Sequence, residues 1–427
     1  MLASAAAFAE PQQFTLEQAI QTALQRNPDL RKQALLQLSS EQDLVISRSA
    51  ILPRVDFNAS VTRIRQGAGS LVLNGVVVEA TPFGIFNNWT GGLQIRQLVF
   101  DGGKWWNNIA AADLTVDANK AQVDEERLQI GYLVEQRFYE LVRAQRQLAV
   151  FADAARRSRD QADFTQSLFE GGRQTQADVY AARANRDNDE VIRLGQERAV
   201  ELARSDLALA VGVDPSEPLS VIEPSHMMTD PAQPPAMKAA VDVALSRRPS
   251  LKAFALITES NRKLASAAKG DYWPQLVLQG NYSRTAGDLG TFDSPPIGQN
   301  SQLSGTVAIN WNLFAGLNTK ANVDKANIQV LLSENDLENG RRNVASDVQK
   351  AVAQLSAAKA QASVAQQSQG TAQEGLRLAK RRQEVGIGTQ LEVRDAELKL
   401  TQAQLNVVGS LVDGREAEAA LRRAQGG

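Results

Sequence analysis

Four short segments of the chain alternate apolar and polar residues with a period of two. This pattern predicts strands that have one apolar and one polar face. The predicted strands lie at about 53–66, 88–100, 274–285 and 302–314. A strand with lipid on one side and water on the other requires such alternation, and a half-buried hairpin of a water-soluble protein shows it as well.

Each pair of strands is framed by residues that interrupt helices. Pro53 and Pro274 are predicted helix-to-strand joints, because proline cannot continue a helix and the chain around it favours extended backbone. The segments between the paired strands, 67–88 and 286–301, are rich in glycine, asparagine or proline. They are predicted to be exposed loops.

In a second pattern, mostly apolar residues recur at alternating steps of four and three. This pattern predicts helices far longer than the ordinary ten or so residues. The predicted helices lie at about 104–170, 175–211, 320–384 and 389–423. At ~1.5 Å per residue, the two longest would each reach roughly 100 Å. The seam of the third helix consists of Val344, Val348, Ala351, Leu355, Ala358, Ala362, Ala365, Gln369, Ala372, Leu376 and Ala379. The equivalent seam of the first helix is looser, because it contains Arg137, Ser158 and Thr165.

The same order of elements occurs twice along the chain. Phe100-Asp101-Gly102-Gly103 returns as Phe314-Ala315-Gly316-Leu317, and Gly172-x-x-Thr175-x-x-Asp178-Val179 returns as Gly386-x-x-Thr389-x-x-Glu392-Val393, both at one offset of 214 residues. A repeat of this length indicates a duplicated fold unit of two shorter helices, two strands and two long helices. The predicted organisation is a signal-peptide remnant and tail (1–13), a first repeat (14–212), an irregular Pro-rich linker (213–236) and a second repeat (237–427).

Composition excludes several classes of function. Net charge is −2 with acids and bases interspersed, so no nucleic-acid partner is expected. Cysteine is absent, which removes disulfides, thiol catalysis and thiolate metal sites. The single histidine, His226, lies in the linker without a second ligand, so no metal is expected. Without a nucleophile–base arrangement or a phosphate-binding glycine-rich loop, we expect no catalytic residue, no cofactor and no enzyme.

Four alternating strands cannot close a membrane barrel on their own. Lipid tolerates no open sheet edge, because each unpaired backbone group there costs several kcal/mol. Known barrels begin at about eight strands. If the strands lie in a membrane, copies of the chain must complete the barrel. Two copies would supply 8 strands and three would supply 12.

From about 14 to 423 the sequence resembles the TolC family of bacterial outer-membrane efflux and secretion channels. The resemblance rests on the duplicated Ala-Ile-x-x-Ala-Leu-x-x-Asn-Pro pattern that begins at Ala19, on the two proline joints, on the strand exits and on the two Gly-x-x-Thr-x-x-acid-Val signatures. It implies a mainly α fold with a small membrane β part. The implied assembly is a homotrimer whose 12 strands form one barrel in the outer-membrane lipid of a Gram-negative cell, continued by a long α-helical barrel in the periplasm.

The resemblance also implies a function. The chain would be the exit duct of a tripartite export system that passively conducts drugs or other small molecules. An inner-membrane pump of RND or ABC type and a periplasmic adaptor would be its partners. The alternative within the family is the exit duct of a type I protein secretion system. A soluble coiled-coil scaffold would explain the long helices, but it leaves the four alternating strands without a role.

Two turns between long helices match the family's periplasmic tip, which closes the channel and receives adaptor hairpins. The tip residues implied by the resemblance are Gly172, Arg173, Thr175, Gly386, Gly388 and Thr389. On chemistry alone, these glycines could equally be helix stops that permit the turn.

Three acids match the family's acidic entrance, where threefold symmetry gathers each carboxylate into a ring that favours cations. They are Asp178, Glu392 and Asp395, and no acid in the first repeat matches Asp395. Without the resemblance, acids near helix starts would be expected to compensate the helix dipole. The chain departs at Gln383 and Gly388 from the family's best-known channel, in which an aromatic residue and an arginine at the matching positions help to lock the closed entrance. We therefore expect a different polar set at the resting entrance, or a weaker hold on it.

Overall fold

The computed structural model describes residues 12–67, 69–81, 84–217, 219–287 and 300–427. The helices are α1 (Leu16–Arg26), α2 (Pro28–Ser49), α3 (Lys104–Glu170), α4 (Gln176–Val211), α5 (Met237–Arg247), α6 (Pro249–Lys269), α7 (Asn318–Glu384) and α8 (Gln390–Gln425). The strands are β1 (Gln12–Phe14), β2 (Arg54–Gln66), β3 (Gly69–Leu73), β4 (Val76–Thr81), β5 (Gly84–Phe100), β6 (Leu219–Val221), β7 (Gln275–Ala286) and β8 (Ser301–Asn310). None of the described helices combines the length and apolar character that crossing a membrane would take.

The chain forms two compact units. The helical unit joins the part of the chain before Leu38 to Asn119–Phe254 and Leu337–Gly427. The sheet unit comprises Leu38–Ala118 and Ala255–Asp336. Each unit therefore draws on both sequence repeats, because the long helices α3 and α7 contribute to both units.

The sheet unit contains one four-stranded antiparallel sheet in the order β2-β5-β7-β8. Pro53 and Pro274 stand directly before β2 and β7, and in the second repeat a 3₁₀ turn, Gly270–Tyr272, separates α6 from Pro274. The central pairing of β5 with β7 joins the first repeat to the second. Strands β2 and β8 therefore form the two edges of the sheet.

The predicted loop over 67–88 is wrong in its described part. Strands β3 and β4 form an antiparallel hairpin there, and β5 begins at Gly84. The hairpin turns at Asn74-Gly75, which adopt φ of 51° and 82°. An Asn-Gly pair between apolar runs favours such a turn because both central residues need positive φ, so the sequence did contain the signal.

Other boundaries differ at the ends of elements. The second predicted loop, 286–301, lies mostly in 288–299, outside the described residues, as do residues 1–11 of the predicted signal remnant. The rest of that tail is not free: β1 pairs in parallel with β6, with Gln12 opposite Leu219. Strand β8 ends at Asn310, short of the predicted 314.

The apolar seam of α7 is confirmed by its burial. All its predicted members are buried except Gln369, Ala372 and Ala379, which are partly buried. In the looser seam of α3, Ser158 and Thr165 are buried as well. Both hydroxyls donate to carbonyl groups of their own helix, at 3.1 and 2.8 Å. A buried hydroxyl that keeps a hydrogen bond avoids most of its desolvation cost, so the seam tolerates these two residues.

The Pro-rich linker is held against α8. Arg415 donates through Nη2 to the carbonyl oxygens of His226, at 2.6 Å, and of Thr229, at 2.9 Å. Met227, between them, is fully buried, whereas His226 itself is exposed. The predicted irregular linker therefore contains one short strand, β6, and Arg415 and the buried Met227 are among the residues that hold the rest of it in place.

The two repeats start their medium helices by different means. Asn27 caps α2, accepting at Oδ1 from the amide of Asp29 at 2.8 Å. The equivalent residue of the second repeat is Arg248, which cannot accept. Glu125 of α3 takes over, accepting from the Ser250 amide at 3.2 Å and from Arg248 Nη2 at 2.7 Å. A helix N-terminus needs an acceptor, and here an acid from another helix replaces the local side chain.

The two strand exits occupy equivalent positions in the two repeats but have different steric surroundings. Gly102 and Gly316 both adopt positive φ, +71° and +60°. A Cβ on Gly102 would lie 2.6 Å from the carbonyl oxygen of Gly270 and 2.8 Å from Cβ of Trp273, whereas one on Gly316 would have no neighbour within 4 Å. At Gly102, both the positive φ and the close neighbouring atoms disfavour a side chain. At Gly316 only the positive φ does.

We predict that Gly316→Ala lowers the free energy of unfolding by about 1 kcal/mol, because an alanine at positive φ is strained. Gly102→Ala should lower the free energy of unfolding by at least about 1 kcal/mol more than Gly316→Ala does, because the Cβ at position 102 also overlaps backbone. Thermal and denaturant melting of the detergent-solubilised protein measures both changes. Equal losses in the two variants would contradict the close approach at Gly102.

Candidate functional site: two interhelical turns

The first predicted tip turn joins α3 to α4. Gly172 adopts φ of +70°, with open space around the position of a Cβ. The Arg173 amide donates to the carbonyl of Leu168 at 2.8 Å, closing the end of α3. Glycine is favoured here by backbone conformation alone.

The second predicted tip turn joins α7 to α8 and is tighter. Gly386 adopts φ of +82°. The amide of Gly388 donates to the Arg382 carbonyl at 2.9 Å, and a Cβ on Gly388 would lie 2.9 Å from the Gln383 amide nitrogen. Gly388 is therefore needed for the close approach of two backbone segments, and an arginine at this position would not fit.

The two turns lie side by side. A Cβ placed on Gly386 would lie 3.9 Å from Nη2 of Arg173. Arg173, an exposed cation of the first turn, thus reaches the backbone of the second.

Asp178 belongs to a complete capping box. The Asp178 amide donates to Oγ1 of Thr175 at 3.2 Å, and the Thr175 amide donates back to Oδ2 of Asp178 at 3.0 Å. The Thr175 hydroxyl donates to the same carboxylate oxygen at 2.7 Å. These bonds to the Thr175 side chain and backbone hold the pKa of Asp178 below its usual value. In this chain Asp178 fixes the start of α4.

Glu392 stands at the same station of α8 but is not used in the same way. The Glu392 amide donates to Oγ1 of Thr389 at 3.2 Å, so the threonine still caps the helix. The Glu392 carboxylate lies 3.6 Å from Nη2 of Arg382 instead of returning to the cap backbone. Half of the box is therefore open, and an exposed carboxylate remains at the turn.

Asp395 is exposed one helical turn farther along α8. Its carboxylate pairs with Lys399 at 2.6 Å, and both side chains are more than half exposed. Pairs of this kind stabilise a helix by only a few tenths of a kcal/mol, so Lys399 holds Asp395 weakly. The three predicted acids thus have separate partners: Thr175, Arg382 and Lys399.

Gln383, the position for which the resemblance suggested an aromatic residue, lies near the end of α7. Its side chain is buried and accepts from Nε2 of Gln161, on α3, at 3.3 Å. This neutral bond links α7 to α3 behind the turns.

Three charged residues near the turns, two buried and one partly buried, were not among the predicted site residues. Asp189 of α4 and Arg394 of α8 form a bidentate pair at 2.6 and 2.8 Å. Glu397 of α8 has a side chain that is 4% exposed. A signal for it was present, because Val393, Glu397 and Leu400 follow the four-three spacing of a buried face and all three are buried.

A sequence profile of the outer membrane efflux protein family matches residues 19–213 and 240–427. The outer membrane efflux protein BepC of Brucella suis is 23% identical over 413 residues, spanning 96% of this chain and 85% of BepC. The outer membrane protein TolC of Salmonella enteritidis is 24% identical over 409 residues, spanning 91% and 77%.

Solved structures share the fold. The outer membrane protein VceC of Vibrio cholerae superposes with a TM-score of 0.80 at 20% identity, over 96% of both chains. The predicted fold class, mainly α with a small β part, is thereby confirmed. A family profile covers both repeats, and the predicted outer-membrane location and absence of enzyme activity are properties of that family. The chain belongs to the outer membrane efflux protein family.

Proposed function

We propose that this chain is the outer-membrane exit duct of a tripartite export system and conducts drugs or other small molecules passively. The observation that carries the proposal is an apolar face shared by all four strands of the sheet. Directly paired residues lie on one face, and the register places Phe57, Leu93, Tyr282 and Leu303 in one row. Phe57 and Leu303 are 70% and 72% exposed. Lipid is the environment that suits such a face.

The proposed assembly is a homotrimer. Among the described strands, β2 and β8 each pair on one side only, and lipid does not tolerate an open sheet edge. Pairing β8 of one copy with β2 of the next removes both edges, and three copies give a closed barrel of 12 strands. Exposed apolar residues on each edge, such as Val55 and Val307, favour this burial in lipid.

A periplasmic adaptor and an inner-membrane pump of RND or ABC type are the proposed partners. The paired turns 171–175 and 385–389 are where the adaptor hairpins would dock, because they present exposed backbone and the cation of Arg173. Export of a polypeptide through a type I secretion system is the second candidate.

The second repeat supplies the proposed charge at the entrance. Asp178 is committed to its capping box, whereas Glu392 and Asp395 keep exposed carboxylates with only loose cationic neighbours. In a trimer each of these two would form a ring of three like charges, which attracts cations.

We predict that the purified chain runs as a heat-labile trimer in detergent and gives large, stepwise conductance in planar lipid bilayers. Light scattering combined with size-exclusion chromatography measures the mass, and single-channel recording measures the conductance. A monomer without conductance would support a scaffold instead. Conductance by a species of two chains would overturn the trimer alone.

We predict that Glu392→Gln and Asp395→Asn each lower the preference for cations over anions, because each removes three negative charges from the entrance. Reversal potentials in asymmetric salt measure this preference. If the acids also gate, Glu392→Ala and Asp395→Ala conduct more than the parent at low voltage, and conductance no larger than the parent's contradicts a gating role. Glu338→Gln, at an exposed acid of α7 paired with Arg342, is the matched control.

We predict that the first turn of α4 loosens as pH falls below about 4. A carboxyl whose pKa is lowered in the folded state stabilises it above its unfolded pKa, and this stabilisation is lost as pH falls through the lowered value. Hydrogen exchange of the amides at 176–179 measures the loosening, after correction for the intrinsic rate. Asp178→Asn should abolish the pH dependence, whereas Asp187→Asn, at an exposed acid of the same helix, should retain it.

A further inference from the structure

A buried ion pair joins the two long helical hairpins, α3–α4 and α7–α8, behind their turns. Asp189 of α4 accepts from both terminal nitrogens of Arg394 of α8, and their side chains are 8% and 15% exposed. Two parallel charge-assisted bonds fix both distance and orientation. This pair therefore sets how α8 lies against α4.

Glu397, one helical turn after Arg394, is buried without equivalent compensation. Its Oε1 has no hydrogen-bond partner among the described residues. The nearest cation is Nζ of Lys380, on α7, at 3.7 Å, which exceeds hydrogen-bond length. Arg157 of α3 also faces it, but donates through Nη2 to Thr401 Oγ1 at 3.0 Å.

The carboxyl lies at the wall of a small cavity in the helical unit. The cavity has a volume of about 170 Å³ and includes Arg157, Asp189, Arg394 and Glu397 in its lining. The apolar part of the lining consists of Phe151, Ala154, Ile192, Leu398 and Leu405. An ionised carboxylate with an unmet oxygen is costly in such surroundings, and a proton removes most of that cost.

The charges around Glu397 come from each helix packed against it. Burial raises the pKa of its carboxyl and is the largest effect; Lys380, Arg157 and Arg394 lower the pKa, and Asp189 raises it. The folded state therefore holds this proton more tightly than the unfolded chain does. The resulting stabilisation is full at low pH and is lost as pH rises through the raised pKa.

We propose that Glu397 is a proton-operated latch: with its carboxyl neutral, the α7–α8 hairpin packs firmly on α3–α4, and with its carboxyl ionised the hairpin is released more easily. The Asp189–Arg394 pair keeps the hairpins in register in both states. The proposal rests on the proposed function only where it links hairpin release to conduction. The proposal predicts that lowering the pH tightens the packing of the α7–α8 hairpin on α3–α4.

Hydrogen exchange tests the latch without requiring a channel. In the parent, the amides of α8 from 394 to 404 should exchange several-fold more slowly at pH 5 than at pH 8, after correction for the intrinsic rate. Glu397→Gln should exchange slowly at both pH values, because a neutral amide replaces the protonated carboxyl. Glu374→Gln, at an exposed acid of α7 paired with Arg377, should keep the parent's pH dependence.

Comparing the pH dependence of hydrogen exchange among variants of Glu397 distinguishes the latch from a purely structural role. Glu397→Asp should restore a pH dependence, which a purely structural requirement for a long side chain would not. The latch is overturned if Glu397→Gln keeps the parent's pH dependence, or if the parent shows none.

Conductance provides a separate readout. The parent should spend several-fold more time in conducting states at pH 8 than at pH 5, and Glu397→Gln should stay low at both. Absence of conductance in every variant would count against the proposed duct and leave the exchange result standing. Conductance that depends on pH equally in the parent and in Glu397→Gln would overturn the link between latch and entrance.

Discussion

The rest of this structure depends on one constraint, which is that the edges of the four-stranded sheet need hydrogen-bond partners. In the part of the chain that the structure describes, β2 and β8 are the outer strands of a four-stranded sheet with a shared apolar face, and each pairs on one side only. In water the backbone groups on the outer sides could be solvated, but the apolar face favours a medium that offers no hydrogen bonds. In lipid, closure of such a sheet would need strands from further copies of the chain, which is the physical basis of the proposed trimer.

The duplicated sequence has diverged where the two copies meet different surroundings. Asn27 caps its own helix, whereas Arg248 needs Glu125 from another helix to do so. Asp178 closes its capping box, whereas Glu392, longer by one methylene, turns toward Arg382. Each change leaves the helix start intact, and the second leaves the Glu392 carboxylate exposed at the turn. Divergence of this kind gives two similar hairpins different chemistry without a change of fold.

Much of the fold could be predicted from periodicity, because small apolar residues at steps of four and three bury one side of a helix. The Asn74-Gly75 turn was missed because a high density of glycine and asparagine suggests a loop even where β-branched residues flank the turn. The pairing of β5 with β7 could not be predicted, since alternation specifies a face and not a neighbour. At the site, motif spacing located the acids, but only contacts separate the capping Asp178 from the exposed Glu392. Glu397 was overlooked because an acid inside an apolar seam is read as an interruption.

The pairing of β5 with β7 has a consequence for how the protein is made. Leu93 lies opposite Tyr282, so almost half the chain separates two neighbours at the centre of the sheet. Both strands of the first hairpin, β2 and β5, are synthesised long before β7. Until then β5 exposes one edge, which invites pairing with other chains. Such long-range closure is slow, because loop-closure entropy is lost before the contact forms. A cell that makes this protein must therefore keep half-finished chains apart, a demand set by topology alone.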